Sequence, residues 1–504
     1  QPETRATVKI MTEWNPMVTL DLHGFVTPML IEPCTPPHNP NYEYDLYIKW
    51  ALAEAEAMEA ELLAQTGLSA QIPYRDDNLG WDDWPPSYTP MYAMYHGSYG
   101  HTLETPRAQW GELTVDAHYA AVWGALNFVV ENREAMIHDQ IEIFRRGFLD
   151  LLQQPIPPEL LPQSPQYQDL MIQDFPAAHV IPAGPPFQVS THQAARLVDF
   201  LLFNDVQVEQ ASQSFLLDGV SYPKGTYIVW LDQPKRGLAN TILDAGLDLS
   251  DIPGLFFYSP PSVWSNPYLW GANVATMEEK MAISTSVVNK ADPPQGSLEG
   301  KKGSVYAYLP TSITAFQATN DLLARGVSLY RSAEGAIILP GDPALANELI
   351  NGYALDLVAL RQMPGDVVPM AEQKIAVYGD EGVRHALKTL GFEFDSVGAG
   401  DINAGVLAGY DVFINYCLRW TDLNPAGRAS VSAWCNAGGD FIGLGSRARA
   451  IDFALEKEWA ILFNSDGDFR TNQVVAFQPL RYNSLQPGRR QAGHFDFAEK
   501  RVSH

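Results

Sequence analysis

Cysteine and basic residues are both scarce in this sequence. Its 504 residues include 3 cysteines and 33 lysines and arginines, against 59 aspartates and glutamates, for a formal net charge of −26. So few cysteines exclude a disulfide scaffold, and none has zinc-finger spacing; a Cys417–Cys435 disulfide and reduced thiols both remain open. The acidic balance argues against a nucleic-acid partner, because phosphate binding needs a basic surface.

Long apolar runs are absent as well. No apolar segment approaches the length of a membrane span, so we expect no span. No signal peptide is visible, and the chain opens on Gln1-Pro2-Glu3-Thr4 without methionine, so we expect its natural start to lie upstream. With 46% hydrophobic and 18% charged residues, the composition is that of a globular protein. The length predicts about two to four domains.

Two predicted strand ends in residues 1–155 carry ionisable side chains. Residues 18–22 are predicted to form a buried strand, and His23 follows it beside a glycine that lets the backbone turn. Residues 101–103 are predicted to form a short strand, with Glu104 where an apolar residue is expected. Ligands of α/β enzymes bind at the carboxyl ends of parallel strands. For either residue alone, a satisfied core histidine or an ion-paired glutamate is the commoner explanation.

Two loops accompany these strands. Residues 32–42 are rich in proline and form either a pocket wall or a surface Ω-loop. Residues 74–99 are rich in Trp, Tyr, Asp and Pro without periodicity, which is typical of a functional loop. We predict helices over residues 2–14, 45–65 and 114–152, the last with one break.

The rest of the chain is predicted to be α/β. A proline-rich linker near residue 155 precedes a domain over 165–370, in which two similar halves each run strand, helix, strand, strand. Neither half shows a cluster of titratable residues, which favours a scaffold role. Residues 374–470 alternate strand and helix in the pattern of a doubly wound parallel sheet. Residues 471–504 form a tail without an assignment.

The first domain, over residues 1–155, resembles the C-terminal part of a zinc carboxypeptidase catalytic domain. The resemblance depends on Asp21-Leu22-His23-Gly24 and on Gly100-His101-Thr102-Leu103-Glu104, which occur in the order and spacing of that family. It implies a partial carboxypeptidase-like mixed sheet and a zinc-dependent metallocarboxypeptidase that acts on a peptide or protein substrate. By this resemblance His23 is a zinc ligand, and Glu104 is the general base that activates water.

Further residue roles follow from the same resemblance. Asp21 lies two residues before His23, hence on the same face of a strand, where it would orient the imidazole. The family moves a tyrosine over its substrate, and Tyr74 and Tyr88 are both candidates for that substrate-binding role. The exported large members of the family imply a secreted or periplasmic protein.

The sequence also departs from the family pattern. The HxxE zinc pair and the substrate-binding arginines are expected upstream of Gln1. We therefore predict that the isolated chain is inactive, with the missing N-terminal portion as a possible separate partner chain. The HxxE match at 101–104 is interpreted as accidental, since residues three apart in a strand point to opposite faces.

The later domains resemble appended domains of the same family. Residues 165–370 are similar to the region that follows the peptidase domain in large bacterial members. Residues 374–470 are similar to class I glutamine amidotransferase-like domains, but their expected nucleophilic cysteine is replaced within Gly443-Leu444-Gly445-Ser446, which favours a structural role. The alternative function is a non-catalytic binding or scaffold protein built on a peptidase fold.

Overall fold

The chain folds into two compact units, Gln1–Pro294 and Gln295–His504, called unit 1 and unit 2 here. The computed structural model describes residues 2–24, 29–36, 38–73, 75–76, 88–160, 169–172, 174–184, 187–246, 265–300 and 303–444, with the backbone of 463–465 and 472–474. Both units combine helices with sheets, so the predicted α/β class is confirmed. The division falls inside the predicted 165–370 domain, and the predicted domain limits stay predictions.

Unit 1 begins with a three-stranded mixed sheet and its helices. Strand β3 lies in the centre, parallel to β1 and antiparallel to β2. The strands are β1 (Val18–Gly24), β2 (Leu30–Pro33) and β3 (Tyr99–Thr105). The helices are α1 (Pro2–Trp14), α2 (Tyr44–Thr66), α3 (Thr89–Met94), α4 (Arg107–Trp110) and α5 (Leu113–Phe148). In the described part of this sheet, β1 is therefore an edge strand.

Helices α2 and α5 pack against each other and cover one face of this sheet. Met58 and Leu62 of α2 share an apolar cluster with Leu103 of β3 and with alanines of α5. The predicted break in α5 is wrong, because the helix runs unbroken for 36 residues. Gly124, in the middle of α5, instead permits close helix packing: a Cβ there would lie 2.7 Å from the carbonyl oxygen of Ala57.

The second part of unit 1 is a five-stranded antiparallel sheet with a separate hairpin. Its strand order is β10-β5-β8-β4-β9, and β6 pairs with β7. The strands are β4 (Ala178–Ile181), β5 (Glu209–Ala211), β6 (Phe215–Leu217), β7 (Val220–Tyr222), β8 (Tyr227–Trp230), β9 (Ala275–Met277) and β10 (Thr285–Val287). The helices are α6 (Thr191–Phe203), α7 (Arg236–Leu243) and α8 (Asn266–Trp270), with a short 3₁₀ helix at Pro158–Leu160.

Unit 2 opens with a six-stranded sheet of order β11-β15-β12-β14-β13-β16. The strands are β11 (Leu298–Glu299), β12 (Val305–Tyr308), β13 (Tyr330–Arg331), β14 (Ile337–Pro340), β15 (Leu357–Leu360) and β16 (Val368–Pro369), and the helices are α9 (Ile313–Ala324) and α10 (Pro343–Gly352). Its run β13-β14-β12-β15 repeats the run β5-β8-β4-β9 of unit 1, with antiparallel pairing at every step. Ser190 and Ser312 cap the equivalent helices α6 and α9.

The last sheet is parallel throughout, with order β18-β17-β19-β20. Its elements are β17 (Ile375–Tyr378), α11 (Glu381–Thr389), β18 (Asp395–Ser396), α12 (Ala399–Asn403), β19 (Val412–Tyr416), α13 (Pro425–Asn436) and β20 (Asp440–Leu444), with 3₁₀ helices at Val406–Gly409 and Trp420–Asp422. Separate apolar clusters on its two faces include α13 on one side and α11 on the other. The predicted doubly wound sheet is thus present.

Two further strands and three reduced cysteines complete the description. Strands β21 (Phe463–Ser465) and β22 (Asn472–Val474) form an antiparallel pair. Cys34, Cys417 and Cys435 form no disulfide, which resolves the open question of a Cys417–Cys435 bond. Gly445 and Ser446, where the amidotransferase cysteine was expected, lie outside the described residues. Among the described residues, no helix combines the length and apolar character of a membrane span.

Candidate active site

Strands β1 and β3 bring the two predicted catalytic residues together. In the parallel register His23 pairs with Glu104, and both lie near the carboxyl ends of their strands. His23 Nδ1 lies 3.5 Å from Glu104 Oε1. The glutamate side chain is 9% exposed, whereas the imidazole is 53% exposed and accessible to a ligand. Two residues 81 positions apart in the sequence thus form one ionisable pair at a sheet edge.

Asp21 joins this pair through the alternation of side chains along β1. Its Oδ1 atom lies 3.2 Å from His23 Nε2, so the imidazole lies between two carboxylates. The same geometry fixes the ring plane of His23, because each ring nitrogen has an acidic neighbour. The structure therefore places Asp21, His23 and Glu104 in one cluster, which is called the β1–β3 site below.

Burial changes the acidity of Glu104. Loss of solvent raises the pKa of its carboxyl group, and the nearby Asp21 adds to this effect, while His23 opposes it by charge and by a hydrogen bond. Glu104 Oε2 is buried without a hydrogen-bond partner among the described residues. A carboxylate with a raised pKa holds a proton more readily at neutral pH, which suits general acid–base chemistry.

One residue that the sequence did not indicate, His118, lies near the β1–β3 site. His118 of α5 donates from Nε2 to the carbonyl oxygen of Leu103 at 3.3 Å. Burial lowers the pKa of His118, and the positive charge available on His23 lowers it further. Neither the spacing nor the composition of α5 distinguishes His118 from other polar helix residues. Its proximity to the site therefore emerges only from the packing of α5 on β3.

Gly24 has a role different from the predicted turn. It is still part of β1, and a Cβ at this position would lie 3.0 Å from the Cβ of Arg107. The absence of a side chain thus lets the Arg107 stem rest on the strand immediately after His23. The strand was predicted to end at Leu22 but runs two residues further, through Gly24, and the sequence did not indicate that the aliphatic part of Arg107 packs there.

His101 lies away from the β1–β3 site, although it belongs to the same HxxE match as Glu104. Its side chain is fully buried, and Nε2 donates to the carbonyl oxygen of Ala51 in α2 at 2.9 Å. His101 therefore contacts the helix layer, while Glu104 contacts His23 on the opposite side of β3. One metal ion cannot be held by both side chains in this arrangement.

The two candidate tyrosines have different outcomes. Tyr74 lies outside the described residues. Tyr88 immediately precedes α3, and its side chain is 36% exposed. Helix α3 packs against both β1 and β3, so Tyr88 belongs to the segment that covers the sheet carrying the β1–β3 site. Its assignment to substrate stays a prediction.

The side chains of the β1–β3 site can be compared with the ligands that the predicted zinc ion would need. Imidazole and carboxylate groups are suitable zinc ligands, and catalytic zinc is generally held by three protein side chains with one open position. Within the ranges that the structure describes, no group of three His, Cys, Asp or Glu side chains has an arrangement that could hold a metal ion. The described residues thus offer one suitable imidazole but do not complete a zinc site.

Comparison with known proteins identifies no relative of this chain. No family model, curated protein or solved structure matches this chain. Functional assignment therefore depends on the chemistry of the residues themselves, above all on the cluster at the carboxyl ends of β1 and β3.

Proposed function

We propose that this chain carries the catalytic-base half of a zinc-dependent metallocarboxypeptidase site, which hydrolyses peptide bonds with Glu104 as the general base. In this proposal His23 is one zinc ligand and Asp21 is the carboxylate that orients it. Peptides or proteins are the substrates, and Tyr88 and Tyr74 remain candidates for contact with them. A secreted or periplasmic location and an N-terminal portion as partner chain belong to the same proposal.

A single observation carries the proposal: His23 and Glu104 occupy paired positions on adjacent parallel strands, with Nδ1 and Oε1 3.5 Å apart. A general base must lie within hydrogen-bond reach of the water that it activates, and a ligand imidazole must lie beside the same water. The paired register supports both assignments, because it brings the two side chains to the same place at the sheet edge. It also explains why an acidic residue occupies a largely buried strand position.

The chain's own residues have defined tasks in this proposal. Glu104 takes a proton from the attacking water and later returns it to the leaving amine, for which its raised pKa is favourable. Asp21 holds the imidazole of His23 by the 3.2 Å contact at Nε2. A bound zinc ion would supply Lewis acidity. Because the described residues do not complete its ligand set, no step of the reaction is assigned to the metal.

The decisive experiment uses the natural gene product, with zinc content and hydrolysis of a blocked dipeptide measured on the same sample. We expect Glu104→Gln to reduce kcat by at least about a hundredfold while zinc is retained, because loss of a general base removes proton transfer and leaves the ligands intact. Glu112→Gln, an exposed carboxylate that follows α4, is the matched control and should leave kcat unchanged.

Full activity of the Glu104→Gln variant would contradict the assignment of the base. His23→Ala should lower the zinc content, and unchanged zinc in this variant would contradict the assignment of the ligand. The two variants therefore test the two residues separately.

A second candidate function is a non-catalytic binding or scaffold protein on a peptidase fold. The described residues favour it, because no three His, Cys, Asp or Glu side chains among them are arranged to hold a metal ion. Under this alternative the natural gene product contains no zinc and hydrolyses no blocked dipeptide. The zinc and hydrolysis measurements above therefore distinguish the two candidates.

A further inference from the structure

A cavity lined by several polar side chains lies in unit 1 and has no place in the proposed peptidase chemistry. Its volume is about 270 Å³. Ligand pockets for drug-sized molecules begin at about 300 Å³, so this cavity is suited to a small ligand. The lining includes Asn41, His179, Asn240, Asp244 and Glu278. No sequence pattern indicated this cluster, because its members come from four separate segments of the chain.

His179 lines this cavity and carries an acceptor atom that has no hydrogen-bond partner among the described residues. The residue lies on β4, is 1% exposed, and donates from Nε2 to Asn240 Oδ1 at 2.8 Å. This hydrogen bond places the proton on Nε2 and leaves Nδ1 with a free lone pair. Nδ1 is buried and has no hydrogen-bond partner among the described residues. Burial of an acceptor without a donor costs free energy. A ligand that donates a hydrogen bond to Nδ1 would remove this cost, which favours its binding.

A chain of amides fixes this orientation of the histidine. Asn240 Nδ2 donates to Asn41 Oδ1 at 2.8 Å, and Asn41 Nδ2 donates to Asn39 Oδ1 at 3.0 Å. All three hydrogen bonds run in the same direction, from His179 toward Asn39. Reversal of one amide would break its neighbours' bonds. The fold therefore keeps the proton on Nε2, so that Nδ1 can only accept a hydrogen bond.

The wall formed by residues 38–42 agrees with one of the two sequence interpretations of this loop. These residues are buried, which excludes a surface Ω-loop, and Asn39, Pro40 and Asn41 line the cavity. The prolines restrict the backbone, so the loop presents its amides in a fixed position. It was expected to border the site of His23, but its hydrogen bond with Asn240 and its place in the lining put it at this cavity.

Two carboxylates give the cavity its charge preference. Asp244 and Glu278 line it, and both lie close enough to His179 to favour its protonated form, although burial outweighs them and lowers the pKa of His179. An anionic ligand is excluded by these carboxylates. A bare metal ion does not fit either, because no metal-binding arrangement of side chains occurs in the described ranges. An organic cation with N–H donors satisfies both the charge and the acceptor.

We propose that this cavity binds a small organic cation, whose ammonium or guanidinium group donates to His179 Nδ1 and is neutralised by Asp244 and Glu278. The group can belong to a free metabolite-sized amine or to a basic side chain of a peptide. The proposal does not depend on the peptidase assignment, because none of its residues belongs to the β1–β3 site.

Isothermal titration of the full chain tests the proposal with four probes: agmatine, L-arginine, N-acetyl-L-argininamide and its uncharged isostere N-acetyl-L-citrullinamide. We expect at least one cationic probe to bind about tenfold or more tightly than N-acetyl-L-citrullinamide. Preference for agmatine or arginine identifies a free cation as the ligand, and preference for N-acetyl-L-argininamide identifies a peptide side chain. Equal binding of N-acetyl-L-citrullinamide, or no binding of any cationic probe, would overturn the proposal.

Variants and a spectroscopic signal make the test specific to this cavity. Asp244→Asn combined with Glu278→Gln should weaken the best probe by about tenfold or more. Glu279→Gln, which removes one carboxylate charge at the exposed position next to Glu278, should change binding less than twofold. In ¹⁵N-labelled protein, the His179 Nδ1 resonance should shift as the probe saturates. An unchanged Nδ1 resonance at saturation would overturn the proposal even if the variants fail to fold.

Discussion

At the scale of single residues, Glu54 places a carboxyl group inside the apolar layer between α2 and the first sheet. Its side chain is fully buried, and neither oxygen has a hydrogen-bond partner among the described residues. Burial raises the pKa of Glu54 to about 8 and lowers the pKa of the neighbouring His101 to about 4. Glu54 Oε2 and His101 Nδ1 lie 3.9 Å apart. Because both groups are neutral near pH 7, this contact is not an ion pair.

Glu54 should therefore make stability fall as pH rises. The folded state binds its proton more tightly than the unfolded chain, whose carboxyl titrates near 4.5. The stabilising contribution is complete below that value and is lost as pH rises through about 8. Glu54→Gln removes this loss, and we expect it to stabilise the protein by roughly 2 kcal/mol more at pH 9 than at pH 6.5. Thermal unfolding at both values measures the difference.

Glu56→Gln provides the control, since Glu56 is exposed on the same helix. Its effect should be the same at both pH values. The pH range begins at 6.5 because His101 has the opposite slope below its ordinary pKa. An equal effect of Glu54→Gln at both values would contradict a buried neutral carboxyl group.

Residue-level prediction succeeded where one local rule was sufficient. Asp21 and His23 share a face because side chains alternate along a strand, and the same rule separates His101 from Glu104. His118 and His179 had no such signal. Each acquires its environment from partners far away in the sequence, such as Leu103 for His118 and Asn240 for His179. Tertiary packing alone creates those environments.

At the scale of elements, α5 exposes an apolar stripe. Val115, Tyr119, Leu126, Val130 and Ile141 are between 52% and 69% exposed. Steps of four, seven and eleven residues place them on one side of the helix. The edge strand β1 adds Leu22, which is 48% exposed. An apolar helix side and an unpaired strand edge both favour association of the chain with other copies.

We expect concentration-dependent self-association that depends on this stripe. Val130→Glu combined with Ile141→Glu should shift the molecular mass from light scattering toward that of the monomer, because charged groups resist burial between copies. Val287→Glu is the control, since Val287 is 72% exposed on β10. A monomer at all concentrations before substitution, or equal masses for both variants, would contradict the prediction.

The prediction of helices and strands from the sequence was limited to what local patterns determine. The helices α1 and α2 were predicted within one residue, because Ala, Glu and Leu favour helix and local signals mark their ends. The break predicted in α5 is absent, and Gly124 instead permits close packing on α2, a contact that a local pattern does not contain. The matching strand order of the two repeated sheets could be suspected from sequence, but the pairing partners could not.

At the scale of the whole molecule, the number of side chains arranged to bind a metal determines how much zinc the chain retains. The β1–β3 site contains one imidazole, and the described residues arrange no complete ligand set. We expect residues 1–504, expressed alone, to contain much less than one zinc per chain and to lack peptidase activity. Elemental analysis after dialysis measures this. Stoichiometric zinc together with hydrolysis would show that other residues complete the site and that the proposed ligand assignment is wrong.

The repeated run of strands has a consequence for how the chain reaches its native state. β5-β8-β4-β9 and β13-β14-β12-β15 have the same order and the same strand directions, so a strand of one copy is geometrically acceptable to the other. Refolding from denaturant exposes both copies at once and allows exchanged pairing, a known failure of repeated domains. Synthesis on the ribosome delivers the N-terminal copy first, so its sheet closes before a competitor exists. Vectorial synthesis thus protects this chain from a kinetic trap that refolding in a test tube would encounter.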